Sequence, residues 1–139
     1  MADSRKELGR DAEDRAASYL ASQGYTLITR RWHGHHAELD LVAMDGETVV
    51  FVEVRARTGR LVAPEETITE GKLNRFKQSV EKYLRENGLE SSPVRLDLVA
   101  VDENGLRHFP GALDRDYSPT GASDEDEEDP DGPSGFLSF

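Results

Sequence analysis

Glu38-Leu39-Asp40-Leu41-Val42-Ala43-Met44-Asp45-Gly46-Glu47-Thr48-Val49-Val50-Phe51-Val52-Glu53-Val54-Arg55-Ala56-Arg57 reads as two β-strands joined by a tight turn. Valine and phenylalanine favour the pleated backbone, and Asp45-Gly46 is a strong signal for a two-residue hairpin. A turn centred there sets Met44 opposite Glu47, Val42 opposite Val49 and Asp40 opposite Phe51. Glu38 then faces Glu53, and His36 faces Arg55. Opposed residues, and residues two apart on one strand, share a face of a sheet. Glu38, Asp40, Glu53 and Arg55 are therefore expected on one side of the hairpin.

Two carboxylates at ~5 Å repel by roughly 3 kcal/mol at an effective dielectric of about 20, so the group needs protons, an arginine or a divalent cation. Mg²⁺ suits sites with one or two carboxylates plus water and phosphate oxygens. Glu38 and Asp40 also fit a solvated face. Glu53 does not, because it interrupts Val49-Val50-Phe51-Val52 before Val54, a run apolar on both faces as in a central strand.

The pattern of Asp on one strand and Glu-x-basic on the next resembles the PD-(D/E)xK nucleases. In detail the chain is similar to the bacterial YraN-type family, which is endonuclease-like and related to the archaeal Holliday junction resolvases. The resemblance spans about residues 5–102. It rests on Gly9-Arg10-Asp11-Ala12-Glu13, Tyr19-Leu20, Gly24-Tyr25, Trp32, Glu38 to Ala43, Val50 to Arg57, and Val94 to Val99. Ala12 and Ala37 stand where the family generally has glycine, and Arg55 stands where it usually has lysine. The resemblance implies a restriction-endonuclease-like α/β core and Mg²⁺ (or Mn²⁺) on Asp40, Glu53 and Glu38. It implies catalytic roles for Asp40, Glu53, Arg55 and Glu13, and a substrate of structured or branched DNA. Arginine clamps phosphate but is a poor proton carrier, so a nucleic-acid-binding module without cleavage is the second reading.

Outward from the hairpin, Ser4-x-x-Glu7 is a capping-box pattern that starts a helix near Arg5. Leu8, Ala12, Ala16, Tyr19 and Leu20 recur at helical spacing before Gly24. Glu13 falls at the margin of that stripe. Tyr25 to Trp32 reads as a first strand, followed by His33-Gly34-His35-His36. A closed zinc site usually takes four ligands and there is no cysteine, so these are read as loop histidines; phosphate contact there follows from the resemblance. Leu61 to Thr67 forms a loop containing Pro64, and Thr69 caps a helix to about Glu86 with Leu73, Phe76, Val80, Tyr83 and Leu84 buried. Asn87-Gly88 ends it. Val94 to Val101 is a strand, and Asn104-Gly105 turns into an edge strand, Leu106 to Phe109. The order αβββαβ(β) predicts an α/β sandwich around a small mixed sheet. Arg31, His33, His35, Arg57, Arg60, Lys72 and Arg75 are the candidate nucleic-acid contacts, weighed against an ordinary solvated basic face.

The 139 residues carry a formal charge of −11 and no cysteine, which excludes disulfides and thiolate metal sites. The charge is uneven. From Gly111 onward nine acids face one arginine, whereas residues 1–110 hold 19 acids and 16 bases. A body so nearly balanced does not exclude nucleic acid. Residues 1–110 are expected to form the domain and 111–139 a disordered acidic tail, since almost nothing apolar offsets its ordering entropy. That tail suits a competitor for nucleic acid or a plain solubiliser. Its apolar end, Phe136-Leu137-Ser138-Phe139, suits a protein contact, which is the basis of a third, adaptor reading. No apolar run spans a membrane and no h-region marks a signal peptide, so a cytoplasmic protein is expected. The expected partners are nucleic acid with DNA favoured, a protein held by the tail, and a second copy of the chain in a homodimer.

Overall fold

A computed structural model describes residues 4–34, 37–56 and 68–114, with only the backbone of residues 4–8. The order is α1 (Ser4–Ser22), β1 (Thr26–His33), β2 (Glu38–Asp45), β3 (Thr48–Ala56), α2 (Glu70–Glu86), β4 (Val94–Asp102) and β5 (Gly105–Phe109). The strands form one mixed sheet in the order β1-β2-β3-β4-β5. All neighbours are antiparallel except β3 and β4. A parallel pair needs a long crossover, and α2 lies in that connection. The expected α/β order is the observed one.

The two helices cover opposite faces. Ala12, Ala16 and Leu20 of α1, spaced at four residues, pack with Leu41, Val50, Val52, Val54, Val99 and Val101. On the other face, Phe76, Val80, Tyr83 and Leu84 of α2 pack with Val42, Val49, Phe51, Leu96 and Leu98. β3 alternates cleanly between the two layers and is buried from Val49 to Val54, as its apolar run requires. The α2 start is the expected one: the Thr69 hydroxyl accepts from the Lys72 N–H at 3.1 Å.

Three expectations are corrected. First, the hairpin turns one residue later. Asp45 pairs with Thr48, Val42 with Phe51 and Leu41 with Val52. Gly46 takes φ 65° at the first central position, where a II′ hairpin calls for glycine, and Glu47 takes the second. Every partner in β3 therefore shifts by two. Continuing this register sets Asp40 opposite Glu53, and Glu38 opposite Arg55. Secondly, strict alternation fails beside Asp40: Leu39 belongs to the α2 layer but Leu41 to the α1 layer. A shared face for Glu38, Asp40 and Glu53 cannot be argued from periodicity there. Thirdly, the domain does not stop at Pro110. Leu113 is buried in the α2 layer, its N–H bonds to Leu96 O at 3.0 Å, and the Asp114 carboxylate accepts from Leu96 N–H at 2.9 Å. The remainder of the tail, the Pro64 loop, His35, His36, Arg57 and Arg60 lie outside the described residues.

Candidate functional site

The β2–β3 ladder ends at Leu41–Val52. Beyond it β2 stays with β1 through Trp32–Leu39 and His33–Glu38, whereas β3 stays with β4 through Ala56–Val101. The sheet forks there, and Asp40 and Glu53 are the residues just past the fork. Both are buried, at 6% and 4% exposure. The Val54 N–H, left without a strand partner on that side, donates instead to Asp40 Oδ2 at 2.8 Å. Glu53 continues the Val49–Phe51 face towards α2, where Lys72 Nζ lies 3.5 Å from Glu53 Oε2. The lysine reaches it because the Thr69 cap fixes the first turn of α2 beside the end of β3.

The electrostatics are those of an under-compensated pair. Burial pushes the Asp40 carboxyl well above the ordinary aspartate range, and the Glu53 charge pushes it further. The Val54 N–H opposes this, while Glu13 and Glu38 add to it. Burial also raises Glu53, with Lys72 and Arg55 only partly offsetting it. Burial in turn lowers the Lys72 ammonium, against the pull of Glu53. The Lys72 ammonium is thus drawn by both buried carboxyls.

Glu13 of α1 is held at the margin. Its Oε1 accepts from Arg31 Nε at 2.7 Å, and that bond leaves the guanidinium more firmly protonated. Arg31 has φ 55°, a left-handed conformation rare for a side-chain-bearing residue. The neighbouring Arg30 reaches Asp14 on the same helix at 2.6 Å, while Trp32 stacks edge-on against Tyr83 of α2. The strand is thereby turned at Arg31 so that two successive arginines address α1. Glu38 is half-exposed and lies 3.6 Å from His33 Nε2. Gly34 anchors the turn between them: a Cβ there would meet the Ser79 hydroxyl at 2.5 Å and Ala37 O at 2.7 Å. That close approach lets the buried Ser79 donate to Ala37 O and accept from Ala37 N–H.

Of the expected site, the structure brings together Asp40 and Glu53, with Glu13 and Arg55 close enough to affect them electrostatically. Among the described residues no group of three or more acids and histidines is arranged to hold a metal, so Glu38 does not complete a three-carboxylate set. Lys72 is placed on Glu53 rather than on an open basic stripe, and Arg31 on Glu13. Arg75 is half-buried on α2. The Lys72 contact had no sequence signal, because nothing local says that the α2 cap lies beside β3.

A second buried acid was missed altogether. Asp97 of β4 is fully buried and accepts from Arg95 Nε at 2.9 Å and Nη2 at 3.0 Å, and from the Gly111 N–H at 2.8 Å. His108 Nε2 lies 2.8 Å from its other face. The reasoning applied to Glu53, an acid inside a strand apolar on both sides, would have found it.

The sequence model of uncharacterised protein family UPF0102 matches residues 12–101. A UPF0102 protein of Pelotomaculum thermopropionicum is 44% identical over 120 residues, covering 81% of this chain and all of that protein. One from Anaeromyxobacter dehalogenans is 42% identical, covering 84% of this chain and 91% of its own length. One from Persephonella marina is 32% identical, covering 78% and 95%. The matched 12–101 segment contains the fork and all four residues Glu13, Asp40, Glu53 and Lys72.

Proposed function

We propose that this chain, which belongs to uncharacterised protein family UPF0102, is a metal-dependent endonuclease of the phosphodiesterase type acting on structured or branched DNA. The observation that carries the reading is the fork. Two buried carboxyls sit past the end of a ladder, both driven towards protonation by burial, with Lys72 on Glu53 and the Arg55 charge only partly offsetting it. A divalent cation fits this donor set, because two carboxylates are the usual protein share of a Mg²⁺ site and their repulsion is what it would relieve. Asp40 and Glu53 would hold Mg²⁺ or Mn²⁺. When bound, such an ion supplies stabilisation of charge on phosphoryl oxygens and a more acidic water.

The chain's own residues prepare the site. The Val54 N–H fixes the orientation of Asp40. Lys72 orients Glu53, and Arg31 steadies Glu13 at the rim. Arg55, two residues beyond Glu53 on β3, offers a planar fork for a phosphate. The preference for branched DNA rests on the family likeness to junction resolvases, and the cytoplasm is where such a substrate and Mg²⁺ meet. No helix among the described residues is long and apolar enough to cross a membrane.

A binding module without cleavage is the second reading, favoured by arginine at the position where the nuclease pattern has lysine. Purified protein on junction, flap and linear DNA, with Mg²⁺ or Mn²⁺ against EDTA, separates the two. Metal-dependent cleavage that Asp40→Asn and Glu53→Gln each abolish supports the nuclease. Salt-sensitive binding with no cleavage leaves the module, and neither activity removes both.

A further inference from the structure

The Lys72–Glu53 contact has a consequence for how the fork takes up a cation. Lys72 leaves α2 at its third residue, directly after the Thr69 cap, and its side chain is 15% exposed. Its ammonium lies 3.5 Å from Glu53 Oε2 and carries the positive charge that a buried Glu53 needs. Lys72 hydrogen-bonds Glu53, and Arg55 also acts on it by its charge. An ion seated on Glu53 sets its charge against the Lys72 ammonium, so the two cations compete for one buried carboxylate.

Resting on the metal reading above, we infer that Lys72 is a built-in occupant of the divalent site. It holds Glu53 while the ion is absent, must let go when the ion arrives, and then turns its charge to a nucleic-acid phosphate. Lys72 is thus a positioning residue that exchanges partners. The surrounding charges favour the exchange. With an ion on Asp40 and Glu53, the ammonium would be repelled by that ion as it already is by Arg55. A phosphodiester oxygen is an anion that suits an ammonium so placed.

The test uses the full chain and two readouts that need no turnover. Calorimetric titration with Mn²⁺ alone compares wild type with Lys72→Gln, Lys72→Met and Lys72→Arg, and with Arg55→Met as a control for nearby charge. Glutamine can still hydrogen-bond Glu53, so Lys72→Gln covers the case in which the methionine variant fails to fold. Removing the ammonium should tighten Mn²⁺ binding by about tenfold or more, Arg55→Met by clearly less, and Lys72→Arg by under about twofold. Equal Mn²⁺ affinity in wild type and Lys72→Gln, abolished by Glu53→Gln, overturns the exchange and leaves the metal reading standing. Absence of Mn²⁺ binding in every variant overturns both.

The second readout is affinity for a cleavage-resistant phosphorothioate DNA junction. In EDTA, Lys72→Gln should bind as wild type does, because Glu53 holds the lysine. With Mn²⁺ present it should bind about fivefold or more weakly, the loss of one charge-assisted phosphate contact. An equal loss in EDTA and in Mn²⁺ would make Lys72 an ordinary backbone contact. No DNA binding under either condition would overturn the phosphate half of the exchange.

Discussion

Glu53 and Asp97 are buried acids on adjacent strands, one residue out of step: Val52 pairs with Asp97, and Glu53 with Leu98. They therefore point to opposite layers and meet opposite treatment. Asp97 receives Arg95 in a two-bond fork, the Gly111 N–H and His108, and Arg95 is itself tied to Tyr25 and Asp45. Burial raises its carboxyl, but the bonds from His108, Arg95 and Gly111 overrule that and leave it below the ordinary range. At the fork, the Val54 N–H bonds Asp40 while Lys72 and the Arg55 charge act on Glu53, and both acids stay raised. A satisfied buried acid is explained by the fold it braces, here by fastening β5 and the Gly111–Asp114 turn to β4. The acid pair at the fork, raised by burial, is the feature on which the proposed metal site rests.

The largest effect should come from Asp97. Asp97→Ala leaves the Arg95 guanidinium and the Gly111 N–H without their buried acceptor. Breaking a buried pair in this way destabilises by about 3–5 kcal/mol. Urea unfolding of the variant should show that loss as a lowered midpoint with little change in slope. A loss below about 1 kcal/mol would erase the contrast between the two acids.

The fork should respond with the opposite sign. Asp40→Asn keeps an acceptor for the Val54 N–H and removes a charge that burial and Glu53 both disfavour, so the apo protein should gain about 1 kcal/mol near neutral pH. The pH dependence follows from the directions of the shifts. Asp40 and Glu53 are raised, so above the ordinary carboxylate range the folded chain binds more protons than the unfolded one. Stability then falls as pH rises from about 4–5 towards neutrality. Asp97 is lowered, so its contribution is present above about 4 and is lost as pH falls through its folded value. Stability should peak between these limbs. In Asp40→Asn the neutral limb flattens while the acid limb stays. A wild-type curve rising steadily to neutral pH would mean the fork is better compensated than its geometry indicates.

How much of this the sequence disclosed depends on the kind of contact. The hairpin, both helices and the buried stripe of α2 follow local rules, namely the Val-rich run, the Thr69 cap and spacing at three and four residues. Glu53 stood out because an acid inside a doubly apolar strand has no local excuse. The register slipped because Asp45-Gly46 and Gly46-Glu47 both place the glycine inside a two-residue turn, and only its φ of 65° at the first position decides between them. That slip moved partners by two and kept β3 parity, so Asp40 and Glu53 still met. Lys72 and the Asp97 network were hidden because their partners lie 19 and 14 residues away or across other elements. No pattern in the residues between announces those approaches.

The smallest effect concerns Arg31, which couples the fork's rim to α1. Its left-handed φ of 55° costs about 1–2 kcal/mol for a residue with a Cβ, and its salt bridge to Glu13 at 2.7 Å is the contact that accompanies that conformation. The guanidinium is more than a third exposed, so the pair is worth at most about 1 kcal/mol after screening. Arg31→Ala keeps the strain and loses the pair, and should destabilise by about 1 kcal/mol. Arg31→Gly also loses the pair but relieves the backbone, partly offset by the freer unfolded chain. It should therefore unfold at a higher urea concentration than the alanine variant, within about half a kcal/mol of wild type. Both variants release Glu13, so both should alter Mn²⁺ affinity alike if Glu13 acts on the site. Alanine and glycine variants of equal stability would show that the φ at Arg31 stores no strain. Unchanged Mn²⁺ affinity in both would confine Glu13 to the surface of α1.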